Sequence, residues 1–251
     1  SDAVESGVNQ GAAVVVHEGM RWLRHLLLPP VCVLCAAPGN DEGFDLCAAC
    51  AGDLPGNQSA CVQCGEHLQS SVPDMICGAC LRRAPRFQAA YCAFRYGYPV
   101  DRLIRVLKYH GRISYARVLG RLLADSLSQH RVAPWPTLLL PVPLATARFR
   151  ERGFNQALEL GKQLEKRLCI PMRTDLLIRN RATGEQAGLD RIARRKNVRG
   201  AFTLLAQLPS KHIAIVDDVV TTGSTANEIA RVLRRAGAER IEVWAVARAA
   251  R

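Results

Sequence analysis

The segment Ile213-Ala-Ile-Val-Asp217-Asp218-Val219-Val220-Thr221-Thr222-Gly223-Ser224-Thr225 reads as an apolar strand, two adjacent carboxylates, and a turn bearing hydroxyls and a glycine. Acids that close an apolar strand need partners, because an unpaired buried charge is heavily penalised. The turn after them offers backbone N–H groups and Thr and Ser hydroxyls at a helix N-terminus, which suits a phosphate. Carboxylates for sugar hydroxyls, Asp217 and Asp218, beside a phosphate cradle, Val219 to Thr225, make a site for a phosphorylated ribose. Both acids meet one ribose only if the chain has begun to turn there, since successive strand side chains point to opposite faces.

A second chemistry lies upstream. Eight of the ten cysteines form four CxxC pairs, Cys32/Cys35, Cys47/Cys50, Cys61/Cys64 and Cys77/Cys80, separated by eleven, ten and twelve residues. Each pair lets two thiolates approach one metal from a tight turn, and two pairs complete a tetrahedral site. From Cys32 to Cys80 the chain is rich in Cys, Gly, Pro and short polar loops, and such a core-poor segment needs a staple. Two structural Zn2+ sites are expected, ahead of redox chemistry or an iron–sulfur cluster. Sequential and cross-braced pairing both remain open. Cys92 and Cys169 stand alone in apolar surroundings and are expected to be buried core thiols. His67 reads as a surface histidine.

With 251 residues, 49% hydrophobic and 22% charged, the composition is that of an ordinary globular protein of one or two domains. The first seventeen residues carry Asp2 and Glu5 but no basic region, and Leu26–Leu28 is far too short to cross a bilayer. A cytoplasmic protein without a membrane span is expected, and a reducing compartment favours metal over disulfides. Charge is unevenly shared. Residues 1–90 carry five arginines against nine carboxylates, a balance of −4; residues 91–251 carry twenty-nine lysines and arginines against thirteen carboxylates, a balance of +16. The basic part suits polyanions, single-stranded DNA among them. Metallated four-thiolate sites make the N-terminal part more acidic still, which favours protein docking there over nucleic acid.

The organisation follows from these textures. A weakly ordered tail is expected over 1–17, a double zinc-binding module over 18–90 and an α/β domain over 91–251. The latter is read as strands at 91–96, 138–143, 201–204, 212–216 and 241–247. Helices are read at 100–109, 112–130, 154–167 and 226–236, with Leu158, Leu160, Leu164 and Leu168 along one side of the third. Strands alternating with helices indicate a parallel sheet covered on both faces, with ligands at the carboxyl ends of the strands. Thr225-Ala-Asn-Glu228 is a capping-box pattern, so Thr225 is expected at the N-cap. Phe94, Tyr96, Tyr98 and Tyr109 are read as core and interface residues.

The thirteen residues Ile213–Thr225 resemble the PRPP (phosphoribosyl pyrophosphate) motif of type I phosphoribosyltransferases. Leu140-Pro-Val-Pro-Leu144, Arg148, Arg152-Gly-Phe-Asn-Gln156 and Leu107-Lys-Tyr-His-Gly111, together with the four CxxC pairs, resemble the ComF family, which includes GntX-like proteins. That family couples a Cys-rich zinc module to a type I phosphoribosyltransferase-like parallel sheet flanked by helices. The resemblance implies PRPP as ligand with Mg2+ on its pyrophosphate and ribose contacts from Asp217 and Asp218. It also implies a 5′-phosphate loop at Thr221–Thr225 and a role in DNA uptake or the use of external DNA. Arg148 and Arg152, four apart, share a face if their segment is helical and suit diphosphate oxygens. Lys108 could reach a phosphate. Asn155 and Gln156 are polar-contact or capping candidates, and Arg179–Asn197 resembles the mobile loop, with Thr183, Gln186, Arg191, Arg195 and Asn197 as candidates.

Overall fold

β-Branched and aliphatic runs in this chain are long enough to be buried on both faces, and they form a parallel sheet. The computed structural model describes residues 29–40, 44–70, 72, 74–130, 134–180 and 198–250. The expected tail, the segment 18–28 and the loop candidates Thr183, Gln186, Arg191, Arg195 and Asn197 lie outside these.

The chain divides into two compact units, up to Asp53 and from Leu54 onward. In the first, bridges Val31↔Pro38 and Asn40↔Phe44 precede the short helix α1 (Ala48–Gly52). Its buried apolar side chains are Cys32, Phe44 and Leu46, too few to hold it without a staple. The second unit opens with the second pair of CxxC motifs. They include α2 (Gly78–Arg82) and lead into β1 (Ala89–Arg95). The second cysteine cluster thus packs with the sheet-bearing unit rather than with the first cluster.

After β1 come α3 (Val100–His110), α4 (Ser114–His130), β2 (Leu138–Pro141), α5 (Thr146–Arg152) and α6 (Gln156–Leu168). Then follow β3 (Leu177–Arg179), β4 (Phe202–Leu204), β5 (His212–Val220), α7 (Ser224–Arg235) and β6 (Arg240–Arg248). The main sheet has the order β1-β6-β5-β2, all parallel; β3 and β4 form a separate antiparallel pair. Ile213 and Ile215 of β5, Ile241 and Val243 of β6, and Ile229 and Leu233 of α7 share one core. Helices α4 and α6 pack on strands of the same sheet.

Most expected elements are present, with three differences. β5 does not stop at Val216 but pairs with β6 through Val219↔Ala247 and Val220↔Arg248, because two valines follow the acids and continue the ladder. On α6 the buried positions are Ala157, Leu160, Gly161 and Leu164, while Leu158 and Leu168 are half-buried; the stripe is rotated toward the small residues. Cys169 is exposed, not a core thiol, because it closes α6 in a left-handed conformation (φ 55°). Cys92 is buried as expected.

One buried carboxylate is fully partnered. Glu242 lies within 2.9 Å of His212 Nε2 and accepts from Arg240 Nε (3.2 Å) and Trp244 Nε1 (3.0 Å), while Trp135 meets Trp244 edge-on at 5.9 Å. Glu242→Gln should destabilise the fold by about 2 kcal/mol, because a buried charge-assisted network loses its charge while keeping its shape. An unchanged urea midpoint would show the network to be idle.

Candidate functional site

Cysteine sulfurs group as Cys32, Cys35, Cys47, Cys50 and as Cys61, Cys64, Cys77, Cys80, each set lying within 4.8 Å of one another. The pairing is therefore sequential. Tetrahedral zinc with Zn–S bonds of about 2.3 Å requires sulfurs about 3.8 Å apart. Cys35 Sγ and Cys47 Sγ are 3.7 Å apart, as are Cys64 Sγ and Cys77 Sγ, so both sets fit zinc. Backbone N–H groups of Cys50 and Cys77 reach the Cys47 and Cys61 sulfurs at 3.5 and 3.2 Å. Burial resists ionisation of Cys32 and Cys77. Hydrogen bonds from nearby backbone N–H groups and sulfurs outweigh it, bringing the thiols down to about 6 and about 7. Exposed His67 stays outside the sulfur set.

At the carboxyl end of β5, the backbone remains in strand pairing past both acids, yet the carboxyls do not part to opposite faces. Asp217 Oδ1 accepts from Asp218 N (2.9 Å), and Asp218 Oδ1 accepts from Val219 N (2.8 Å). These local bonds curl the side chains together, and the two carboxyls share a hydrogen bond. Lys108, on the last turn of α3, meets Asp218 Oδ2 at 2.7 Å. Burial and the adjacent Asp218 charge push Asp217 up to about 8. Burial acts on Asp218 too, but the Lys108 ammonium and hydrogen bonds from Lys108, Asp217 and Val219 N–H hold it below the ordinary carboxylate range. Near neutral pH the pair retains one proton, on Asp217.

The loop after β5 turns at Gly223, whose φ of 73° favours glycine, and α7 begins at Ser224. Thr222 Oγ1 lies 2.8 Å from Ser224 Oγ and accepts from Ser224 N (3.3 Å). The expected Thr225 cap is not formed, and Thr225 lies inside the helix. Its partner Glu228 is engaged elsewhere, accepting from Gly200 N (2.7 Å) and bound through both oxygens by Arg231. A cavity of about 1180 Å3 borders this loop, lined by Arg83, Arg86, Phe87, Arg199 and Arg231 among others.

Helix α5 does put Arg148 and Arg152 on one face. Arg148 Nη1 donates to Glu151 Oε2 (2.8 Å), and the Arg152 guanidinium stacks 5.4 Å over Tyr109, next in sequence to Lys108. Lys108, Asp218, Tyr109 and Arg152 are thus linked across α3, α5 and β5. Asn155 is a structural cap: it accepts from Ala157 N and donates to Val142 O, both at 3.0 Å. Gln156 is buried. Tyr98 and Tyr109 are 75% and 60% exposed and Tyr96 is also exposed, correcting their reading as core residues; only Phe94 is buried. They follow β1 or close α3 at the helix end, where no element covers them. Sequence reasoning missed Arg248 and Glu66, which bond to each other at 2.6 Å. An arginine closing the apolar strand Ile241–Ala247 was the available signal.

Residues 23–81 match the double zinc ribbon domain family and residues 155–251 the phosphoribosyl transferase domain family. A "DNA utilization protein YhgH" from Salmonella typhi is 36% identical over 226 residues, covering 89% of this chain and 99% of that protein. "Competence protein F" from Haemophilus influenzae is 35% identical over 225 residues, 87% of this chain and 96% of that protein. A solved Bacillus subtilis glutamine PRPP amidotransferase aligns with 51% of this chain and 25% of its own at 22% identity and a TM-score of 0.34. Fold and site define a phosphoribosyltransferase-like domain joined to a double zinc ribbon. With this identity over nearly its full length, the chain belongs to the ComF family. Among the described residues no helix is long and apolar enough to cross a membrane.

Proposed function

We propose that this protein binds PRPP with Mg2+ at the carboxyl end of β5 and serves DNA uptake or the use of external DNA from the cytoplasmic side. The observation that carries this reading is the Lys108–Asp218–Asp217 cluster set directly before the Thr221–Ser224 loop. In it, Asp217 and Asp218 hold the ribose hydroxyls, and Val219 to Thr225 hold the 5′-phosphate through N–H groups and hydroxyls. Arg148, Arg152 and Lys108 face the diphosphate. Mg2+ would neutralise the diphosphate and make it a better leaving group.

A transfer, if the protein performs one, breaks the bond between the anomeric carbon and the diphosphate oxygen, the electron pair leaving with diphosphate. A nucleobase-like acceptor donates the lone pair for the new bond and gives up a proton. Preorganised acids and arginines would meet the charge that develops. The names of the relatives support the connection with DNA. Isothermal titration with PRPP, with and without Mg2+, tests the reading. One saturable, Mg2+-dependent site is expected, and absence of binding sinks it.

Exposed Tyr98, Tyr109 and Phe149, with the +16 balance of residues 91–251, favour a second reading. In it the basic domain binds single-stranded DNA by stacking and phosphate contacts, with PRPP as a regulator. Affinity that falls steeply with salt and ignores the PRPP site is the expected signature; a flat salt dependence counts against it. The acidic zinc ribbons would then dock a protein partner.

A further inference from the structure

Arg248 ends β6 and is only 2% exposed, yet its guanidinium is satisfied from two separate parts of the second unit. On one side, Nε donates to Cys64 O (3.0 Å) and Nη2 to Glu66 Oε2 (2.6 Å), both in the knuckle of the second cysteine set. On the other, Nη1 donates to Val220 O (2.8 Å), to Thr221 O, and to Ala249 O (2.8 Å). Val220 and Thr221 are where β5 passes into the phosphate loop.

The knuckle itself is pressed onto β1. Gly65 has a φ of 69°, and an added Cβ would lie 3.0 Å from Cys92 Sγ. Asn57 Nδ2 donates to Gly65 O (2.9 Å), and Ala90 N to Val62 O (3.1 Å). If the knuckle opened, a buried guanidinium would lose its carboxylate and one carbonyl. Such a charge is costly to leave half-paired, so the loop carbonyls would move with it.

We propose that Arg248 is a positioning residue that couples metallation of the Cys61/Cys64/Cys77/Cys80 site to the shape of the Thr221–Ser224 loop. The loop is ligand-ready only while that knuckle is closed on zinc. The first cysteine set has no part in this. The proposal rests on the reading of the loop as a phosphate site.

Coupling between two sites is reciprocal, so ligand at the loop must retain zinc in the knuckle. With the zinc-loaded full chain, transfer of both zinc ions to a chromogenic chelator is followed with and without saturating PRPP and Mg2+. One zinc should leave about tenfold more slowly with ligand and the other should be unaffected. Arg248→Lys, which keeps the charge but not the fork, should bind both zinc ions and lose the protection. Equal protection of both zinc ions, of neither, or an unchanged effect in Arg248→Lys overturns the coupling.

If titration shows that PRPP does not bind, the phosphate reading fails and amide exchange decides the coupling. Glu66→Gln and Cys77→Ser should speed exchange at Thr221–Ser224 while Ile213–Val216 stay protected; Cys47→Ser should not. Identical loop exchange in all three would leave Arg248 a purely local filler.

Discussion

Stripping zinc from the first cysteine set should melt the ribbon around Cys32–Cys50 while the sheet stays folded. Apart from the cysteine, that unit buries only Phe44 and Leu46 among its described apolar side chains, and its single short helix is capped by Cys47, itself a ligand. Nothing else offsets the entropy of ordering its loops. In such modules the metal's binding free energy, about 10–16 kcal/mol, is folding free energy. Two zinc ions per chain should be released to a chelator, and Cys35→Ser with Cys50→Ser should release one. Limited proteolysis should then cut near Cys32–Cys50, with the main thermal transition retained. A metal-free protein still protected there would overturn the view of this ribbon as zinc-folded. The second set should resist longer, since Leu68 and Ile76 pack against its sulfurs and its knuckle is seated on β1.

The acid pair should show opposite effects on stability and on binding. Asp217 is raised to about 8 in the folded protein, above its ordinary range near 3.9. Between about pH 4 and pH 8 the folded state keeps a proton that the unfolded state has released. Stability therefore falls as pH rises through that window. Asp217→Asn should remove this slope and stabilise the protein near pH 7 by on the order of 1–3 kcal/mol, raising the Tm by about 2–4 °C per kcal/mol.

Asp218 has the opposite sign. Its pKa is depressed chiefly by Lys108, against the pull of burial, so its contribution is present above the ordinary carboxylate range and lost as pH falls through the folded value. Asp218→Asn should destabilise the fold and leave the Lys108 amine, 18% exposed, without its carboxylate. For PRPP, either change should weaken binding by about tenfold to a hundredfold, and both together by about a thousandfold, since hydrogen bonds to charged groups contribute about 1.5–3 kcal/mol each. A more stable Asp217→Asn protein that binds less PRPP would mark strain kept for function. Unchanged titration isotherms in both variants would remove the acids from the site.

Local chemistry made much of this protein legible from its residues. The CxxC spacing of Cys32 to Cys80 determined a metal module, because two thiolates on one tight turn have few other uses. The apolar runs at 138–143, 212–216 and 241–247 determined a buried parallel sheet, because only two covered faces tolerate them. The order of strand, acids, hydroxyl turn and helix marked the candidate site.

Other features depended on partners far away in sequence. Glu228 could not be known to prefer Gly200 N–H and Arg231 over a cap at Thr225. Asp217 and Asp218 were brought together by backbone bonds that strand alternation does not foresee. Lys108 looked like a surface lysine until α3 placed it on Asp218, 110 positions later in the chain. Which cysteine pairs share a metal, and which set joins the sheet, was likewise decided by packing. The sequence by itself determined which chemical groups this protein owns. Only the tertiary structure decided which of them meet, because charge pairing and burial depend on distance in space, and Arg248 reaches a knuckle 184 residues away along the chain.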